Sequence, residues 1–249
     1  MKYKAVVSYS GEAYCGFQRQ PKGKTIQGEL EKQLTFLAGE SIQIKGAGRT
    51  DAGVHALGQT FSFPCHLIED IPAFLTALNR LLPEDIYVRS LEQVDDGFDA
   101  RHSSIGKIYE YVFTVNQRDP LRTRKIAQLR RDDFDFDLFL RAFSLFNGTH
   151  NFQNFTTKPE DKDGFIRCVE ILFLRQEEEG NLVRLRVKGD GFMRYQIRFM
   201  VGACIRAATG KLSLKEIEDA LTDGPRSILP YKAPPEGLCL MEVLYGGQP

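Results

Sequence analysis

The order of strand-like and helix-like segments limits the fold of this chain more than any other feature. In the first half, the pattern of apolar residues predicts four strands, at Lys2–Ser8, Ile42–Lys45, Leu57–Phe63 and Asp85–Leu91. Helical spacing predicts two helices between these strands, one beginning after Thr25 and ending near Gly39, the other beginning around Pro72. The resulting order, β-α-β-β-α-β, is that of the split unit of ferredoxin-like folds.

The second half repeats this order less regularly. Strands are expected at Lys107–Val115, Val169–Arg175, Leu182–Lys188 and Leu238–Tyr245, with a polar turn at 177–181 between the second and third. Helices are expected at Leu138–Phe146, at Phe192–Thr209 and after the capping-box pattern at Ser213. We therefore predict an α+β protein of two ferredoxin-like (RRM-like) βαββαβ halves with antiparallel sheets, residues 1–104 and 105–249. The cleft between two such halves is a common kind of ligand site.

Length and composition are typical of a chain that folds without disulfides or structural metal ions. The chain has 249 residues, of which 42% are hydrophobic and 27% charged, as in ordinary soluble globular proteins. Five widely spaced cysteines form no zinc-type pairs with the four histidines, so we expect unpaired thiols and no metal site. We find no apolar run long enough for a membrane helix and no signal-peptide pattern, which predicts a cytoplasmic protein.

The charge distribution gives a mixed indication about nucleic acid. Lys and Arg (33) balance Asp and Glu (33), and the net charge of zero counts mildly against a nucleic-acid binder. One segment nevertheless concentrates basic residues, Arg118, Arg122, Arg124, Lys125, Arg130 and Arg131, and is followed at once by Asp132, Asp133, Asp135 and Asp137. Both runs fit a solvated charged surface as well as a surface that contacts RNA.

The most unusual local sequence is GAGRTDAGVHALGQ, residues Gly46–Gln59, in which glycines surround Arg49 and Asp51. Glycine permits backbone angles and close approaches that other residues resist, so this loop can fix Asp51 and admit a bulky partner. The loop lacks the Gly-Lys-Ser/Thr ending of a Walker loop, and a dinucleotide fingerprint would need a glycine where Asp51 stands. From the residues alone, a catalytic carboxylate and a tight turn capped by Asp51 are equally good interpretations.

GAGRTDAGVHA closely resembles the catalytic motif of TruA-type tRNA pseudouridine synthases, which convert uridine to its C-glycoside isomer. Other stretches resemble the same family in the same order: SGEAYCGFQRQP, FDARHSSIGKIYEY, GDGFMRYQIRFMVGA and APPEGLCLMEVLY. The resemblance covers nearly the whole chain. It implies a cofactor-free isomerase (an intramolecular transferase) that acts on uridines on the 3′ side of the tRNA anticodon stem-loop, and it implies a homodimer.

The resemblance also implies roles for four residues. Asp51 matches the essential aspartate, and Arg49 matches an arginine that helps hold the flipped-out base. Tyr109 matches the tyrosine that stacks on the uracil, and Arg198 matches the arginine that pairs with the aspartate. An arginine within about 4–6 Å lowers a carboxylate pKa by about 1–3 units, which would keep Asp51 ionised in a shielded pocket. Whether Asp51 attacks the sugar as a nucleophile or removes its C2′ proton is not decided by the sequence.

Two positions depart from the family pattern. Phe17 stands in CGFQ where the family usually has tryptophan, and Tyr195 stands where histidine is frequent. Phe17 keeps an aromatic surface, so we expect its packing to differ more than the chemistry. His55, beside the motif, is interpreted as a turn histidine without a chemical role.

Two other functions fit the predicted fold. A non-catalytic RNA-binding protein with two RRM-like units would not need Asp51 inside a glycine loop, and no clear RNP1 pattern is present. A small-molecule enzyme is the second alternative, because a fold alone fixes no function. Phosphate contacts make tRNA affinity fall steeply with salt, whereas affinity for a neutral metabolite barely changes.

Overall fold

A computed structural model describes residues 1–116, 120, 125–130, 133–158, 160, 164–176, 182–222, 224–229 and 231–246. These residues form a mixed α+β protein with five α-helices and ten strands that pair mostly antiparallel. They group into two compact units, Met1–Ile105 with the chain from Cys239 on, and Gly106–Leu238. None of the helices in these ranges has the length and apolar character needed to cross a membrane.

The first unit has the predicted order of elements. It comprises β1 (Lys2–Tyr9), α1 (Ile26–Ala38), β2 (Lys45–Gly46), β3 (His55–Pro64), α2 (Ile71–Leu81), β4 (Ile86–Val94) and the final strand β10 (Leu238–Tyr245). Strand β1 lies antiparallel between β4 and β3, while β2 pairs antiparallel and β10 parallel with β3. Alternate side chains of β1 are buried, as expected for a strand with one face on the core.

Local capping signals place the helices where the sequence predicts them. Thr25 caps α1 by accepting a hydrogen bond from a backbone N–H of the first turn, and Gly39 ends the helix in the left-handed conformation. Pro72 lies in the first turn of α2, where its missing N–H is not needed. Ser213 and Glu216 form the predicted capping box at the start of α5 (Leu214–Ala220).

The predicted strand Ile42–Lys45 is wrong in extent, because β2 comprises only Lys45 and Gly46. The preceding backbone N–H groups bond to side chains of α1 instead of a neighbouring strand. Thr35 Oγ1 accepts from the Ile42 N–H and Glu31 Oε1 from the Ile44 N–H, each at 3.0 Å. Buried backbone donors need a partner. Here α1 supplies the partner, so this stretch needs no strand ladder.

The second unit contains most of β5 (Ser104–Val115), then β6 (Ala127–Leu129), α3 (Phe136–Ser144), β7 (Gly148–Asn151), β8 (Ile166–Gln176), β9 (Leu182–Gly189), α4 (Gln196–Ala208) and α5. Its strands lie in the antiparallel order β5-β9-β8-β7, with β6 parallel to β5. The sequence analysis missed β6 and β7, because three or four residues show too little alternation to indicate a strand.

An aromatic core fills the second unit. Phe139 of α3 contacts Phe113 of β5 and Phe143, with ring centroids 5.2 and 6.3 Å apart. Phe146 continues this core to Phe155 at 5.2 Å. All five side chains are fully buried, and burial of large aromatic rings contributes strongly to stability. This core holds α3 against β5.

Helix α4 begins at Gln196, four positions later than the predicted start at Phe192. The cause is Tyr195, which has a φ angle of 67° and so adopts the left-handed conformation. A helix cannot pass through that conformation, which is uncommon for residues other than glycine. The helix that follows is buried on nearly every side.

The charged run after β5 is described only in part. Outside the described residues lie Arg118, Arg122, Arg124, Arg131 and Asp132, as does the predicted turn at 177–181. The remaining members of the run are exposed: Lys125, Arg130, Asp133, Asp135 and Asp137. Asp135 caps α3 by accepting a hydrogen bond from Leu138 N–H at 2.9 Å. One acid of the run therefore has a structural role.

Glu31 provides a test of the contact between α1 and the chain before β2. Its side chain is 6% exposed and also accepts a hydrogen bond from Gln27 Nε2 at 2.9 Å. Glu31→Ala leaves the buried Ile44 N–H without a partner, so the free energy of unfolding should fall by about 1–3 kcal/mol. Lys32→Ala, at an exposed position of the same helix, is the matched control and should change it by less than about 0.5 kcal/mol. Urea unfolding measures both, and equal effects would contradict the role given to Glu31.

Candidate functional site

Asp51 occupies the first position of a tight turn between β2 and β3. The Val54 N–H donates to the Asp51 carbonyl oxygen at 3.1 Å. Gly53 has a φ angle of 80°, the conformation that a type II turn requires at its third position. The hydrogen bond of the turn uses the main chain of Asp51, so the turn does not need the carboxylate as a cap. The Asp51 side chain is half-buried.

The residue before Asp51 is fixed through both its side chain and its backbone. The Thr50 and Tyr9 hydroxyl oxygens lie 2.8 Å apart in a hydrogen bond, and the Phe17 N–H donates to the Thr50 carbonyl oxygen at 3.1 Å. All three residues are buried. Burial raises the pKa of Tyr9 well above its ordinary value, so its hydroxyl stays protonated and can donate to Thr50. The end of β1 thereby fixes the chain next to Asp51.

Other residues of the first unit support the same loop. A Cβ atom at Gly46 would lie 2.4 Å from the Phe17 ring, so the absence of a side chain there makes room for this ring. Phe17 is 2% exposed and acts as a packing residue. Gln59, at the end of the motif, donates from Nε2 to the Gly48 carbonyl oxygen at 3.0 Å.

Arg49 and His55 flank Asp51 with different surroundings. Arg49, two positions before Asp51, is exposed. The Gly11 N–H donates to His55 Nδ1 at 3.2 Å, which assigns Nδ1 as an acceptor. Because β3 begins at His55, this contact holds the start of β3 to the chain after β1. His55 therefore has a structural partner at the start of β3, and its lack of a chemical role stays a prediction.

Tyr109 lies in β5 of the second unit and is 8% exposed. Its ring meets Phe192 edge to face, with centroids 5.3 Å apart and planes at 83°. A Cβ atom at Gly189 would lie 2.7 Å from the Phe192 ring, so only a residue without a side chain admits Phe192 here. The sequence analysis treated Phe192 only as the start of a helix. The signal it missed is an aromatic residue shortly after the glycine that ends a strand.

Arg198 lies in the first turn of α4 and is 7% exposed, which excludes the interpretation of a surface arginine. Its Nε donates to the Ala233 carbonyl oxygen at 2.8 Å, and its own carbonyl oxygen accepts from the Ala233 N–H at 2.9 Å. Its guanidinium carbon lies 5.5 Å from the centroid of the Tyr195 ring. These contacts hold the guanidinium in one orientation.

The four residues singled out by the sequence divide evenly between the two units. Asp51 and Arg49 belong to the first unit, and Tyr109 and Arg198 to the second. None of the five cysteines, all of which lie in the described part of the chain, forms a disulfide bond. Within the part of the chain that the structure describes, we find no group of three or more His, Cys, Asp or Glu side chains that could hold a metal ion.

Comparison with known proteins identifies the family. A family model described as tRNA pseudouridine synthase matches residues 5–103 and 142–246. The chain belongs to the tRNA pseudouridine synthase family. Within this family, the protein named tRNA pseudouridine synthase A from Dictyoglomus turgidum is 38% identical over 245 residues, which cover 98% of this chain and 99% of the relative.

Other tRNA pseudouridine synthases show similar agreement. The proteins named tRNA pseudouridine synthase A from Thermodesulfovibrio yellowstonii and Streptococcus suis are 36% and 34% identical over 251 and 245 residues. These alignments cover 97% and 98% of this chain and 98% of each relative. A chain in the crystal structure of a Cbf5-Nop10-Gar1 complex aligns with 96% of this chain and 48% of its own length. Its TM-score of 0.37 and 11% identity are too low to support any argument.

The hydrogen bond between Tyr9 and Thr50 should stabilise the loop that carries Asp51. Tyr9→Phe and Thr50→Val each remove one hydroxyl from a buried pair, and each should lower the free energy of unfolding by about 1 kcal/mol. Because both remove the same hydrogen bond, the double variant should lose less than the sum, with a coupling of about 0.5–1.5 kcal/mol. Tyr87→Phe, at an exposed position of β4, should have no measurable effect. Denaturant unfolding of the four variants tests this, and strictly additive losses would rule out the coupling.

Proposed function

We propose that this chain isomerises uridine to pseudouridine in tRNA, on the 3′ side of the anticodon stem-loop, with Asp51 as the catalytic carboxylate. Family membership over most of the chain is the observation that carries the proposal. The curated relatives, aligned almost end to end, are named tRNA pseudouridine synthase A, which supports the reaction and the class of RNA. The tight turn that fixes the main chain at Asp51 supports the choice of this carboxylate.

The first step is recognition of an extruded nucleotide. A uridine stacked within RNA hides its glycosidic bond, so the enzyme must flip it out at a cost of a few kcal/mol. Stacking of the uracil on Tyr109 offsets part of this cost, typically about 1–3 kcal/mol per base. Phe192 supports this role, because its contact with Tyr109 leaves the tyrosine ring less freedom to turn. Arg49, exposed beside Asp51, helps hold the flipped-out base.

The chemical step breaks the N1–C1′ bond of the bound uridine. The detached uracil turns within the pocket and rejoins the ribose through C5. C5 then loses its proton to solvent, and N1 takes up a proton from solvent. Asp51 takes part either by attacking the sugar or by removing its C2′ proton, and both routes need an ionised carboxylate close to the ribose. Arg198 supplies the opposite charge that keeps the Asp51 carboxylate ionised. The product is an isomer of the substrate, so no redox partner or added group takes part.

The proposed site uses both halves of the chain. We infer that residues 1–104 and 105–249 are two ferredoxin-like domains, the first carrying the Asp51 loop and the second completing the active-site cleft. The strand order β4-β1-β3-β2 in the first unit supports this architecture for the first half. Strand β10 belongs to the second half by sequence but clusters with the first unit.

The family resemblance also leads us to propose a cytoplasmic homodimer in which one tRNA contacts both subunits. Size-exclusion chromatography with light scattering gives the mass of the free protein and of its complex with tRNA. A free protein of 28.2 kDa at micromolar concentration, together with a complex that contains one protein chain for each tRNA, would overturn the dimer.

The catalytic role of Asp51 can be tested with an unmodified tRNA transcript that carries tritium at C5 of its uridines. Formation of pseudouridine releases this tritium, so wild type should release it and Asp51→Asn should release none. The substitution keeps the size of the side chain, and tRNA binding should survive. Substantial release by folded Asp51→Asn would remove Asp51 from the chemistry. No release by the wild type across several tRNAs would favour a non-catalytic RNA-binding protein.

Arg198 should affect the rate through its charge. Arg198→Met should slow tritium release about 100-fold or more, as loss of a preorganised charge-stabilising group often does. Arg206→Met, near the opposite end of α4, is the matched control and should keep the wild-type rate. Circular dichroism and thermal unfolding verify that both variants are folded. An unchanged single-turnover rate for folded Arg198→Met would exclude Arg198 from the site.

A further inference from the structure

Tyr195 is the centre of a group of positive charges at the start of α4. Lys232 Nζ lies 3.8 Å from the centroid of its ring, and the guanidinium carbons of Arg194 and Arg198 lie 4.7 and 5.5 Å from it. Arg194 also donates to the Tyr195 hydroxyl at 2.8 Å. Cations are attracted to the face of an aromatic ring at such distances. We call these four residues the Tyr195 cluster.

The backbone around α4 fixes the position of this cluster. The segment that carries Lys232 is held to the helix by the two hydrogen bonds between Ala233 and Arg198. It can approach so closely because of Gly202, where a Cβ atom would lie 2.3 Å from the Tyr231 carbonyl oxygen. Tyr195 itself is held in the left-handed conformation, which costs a non-glycine residue about 1–2 kcal/mol. The cluster is therefore built by the fold and does not result from surface side chains meeting by chance.

Two cations of the cluster, Arg194 and Lys232, form no ion pair with the acidic side chains that the structure describes. Elsewhere in the same unit, by contrast, Glu110 forms ion pairs with Arg184 and Arg186 at 2.5 and 2.7 Å. The cluster also lies at the N-terminus of a 13-residue helix, where the helix dipole favours negative charge. Positive charges are thus concentrated at a helix end where, in the free protein, the electrostatic interactions of these charges are least favourable.

The first residue of α4 also carries a buried hydrogen-bond donor without a partner in the described part of the chain. Gln196, the first residue of α4, is 1% exposed, and its Nε2 has no hydrogen-bond partner among the described residues. Its Oε1 accepts from the Met193 N–H at 3.0 Å, which fixes the amide beside Tyr195 in the chain. A buried amide donor without a partner costs about 1–3 kcal/mol. The helix start that carries the cluster therefore also has one buried donor that no described residue satisfies.

We propose that the Tyr195 cluster binds a phosphodiester group of the tRNA backbone. Arg194 is exposed and Lys232 half-exposed, so both reach solvent and can meet a phosphate. The Tyr195 ring holds their charged groups together before RNA arrives, which reduces the entropy lost on binding. This inference rests on the proposed function, since it concerns the same RNA substrate.

The proposal explains how a protein without net charge attracts RNA. With a formal charge of zero, the chain as a whole provides no long-range attraction for a polyanion. Binding then depends on local groups of cations, each of which displaces counterions from the phosphates that it contacts. Because backbone phosphates are contacted equally before and during the reaction, Arg194 and Lys232 contribute to tRNA affinity and not to the chemical step.

The test measures the salt dependence of tRNA binding in an Asp51→Asn background, so that the RNA is not modified during titration. For Arg194→Ala and for Lys232→Ala, the slope of log K against log salt should become shallower by about 0.7–0.9 for each phosphate that the variant no longer neutralises. Lys211→Ala, an exposed lysine beyond the C-terminal end of α4, is the matched control and should keep the full slope. An unchanged slope in both cluster variants, as expected if the cluster held only free phosphate, would overturn the proposal.

Further measurements separate phosphate binding from a structural role. Removing one of several mutually repelling charges should leave the unfolding temperature of Arg194→Ala and Lys232→Ala unchanged or higher. Tyr195→Leu should make the slope shallower, whereas Tyr195→Phe, which keeps the ring, should not. With Asp51 present, Lys232→Ala should raise KM for tRNA and keep kcat.

A lower unfolding temperature with an unchanged slope would assign the cluster to folding and overturn the inference. Absence of tritium release by the wild type would instead count against the proposed function, because the slopes do not depend on turnover.

Discussion

The tie between the end of β1 and the chain just before Asp51 is the constraint on which the proposed site depends. A carboxylate on a glycine-rich loop has no defined direction unless the residues on both sides of it are fixed. Thr50 is held by Tyr9 and Phe17 on one side, and the chain after Asp51 enters β3 through His55 on the other. The flexibility of the glycines is thereby limited to the positions that need unusual angles. The loop is a rigid support for one functional group.

Much of this fold could be predicted because its signals are local. Thr25 and Gly39 mark the two ends of α1, and Ser213 with Glu216 marks the start of α5. The errors arise where a distant partner decides the outcome. The N–H groups of Ile42 and Ile44 bond to α1 instead of a strand, which no window of neighbouring residues reveals. Likewise, nothing in the apolar pattern of Phe192–Thr209 shows that Tyr195 has a positive φ angle.

The site was predictable to a similar degree. The motif around Asp51 located the loop, and comparison with known proteins confirmed the family to which it pointed. The roles of Asp51, Arg49, Tyr109 and Arg198 stay predictions. Residues that support the loop escaped notice, because Tyr9 and Thr50 are 41 positions apart in the chain.

Net charge was a poor guide to RNA binding for a related reason. Glu110 forms ion pairs with two arginines of β9, whereas Arg194 and Lys232 beside Tyr195 form no such ion pair within the described part of the chain. A sum over the whole sequence hides both facts, because it counts charges without their neighbours.

The position of β10 has a consequence for the way this chain is made. Its residues from Cys239 on belong to the first unit, where they pair with β3 at His55 and Ala56. Proteins are synthesised from the N-terminus, and domains generally fold in that order as they emerge. Here β3, which follows the Asp51 loop, pairs with β10, which is synthesised only after the whole second unit. The Asp51 loop therefore gains this support only after β10 has been synthesised, so a nascent chain that stops before β10 remains an immature enzyme.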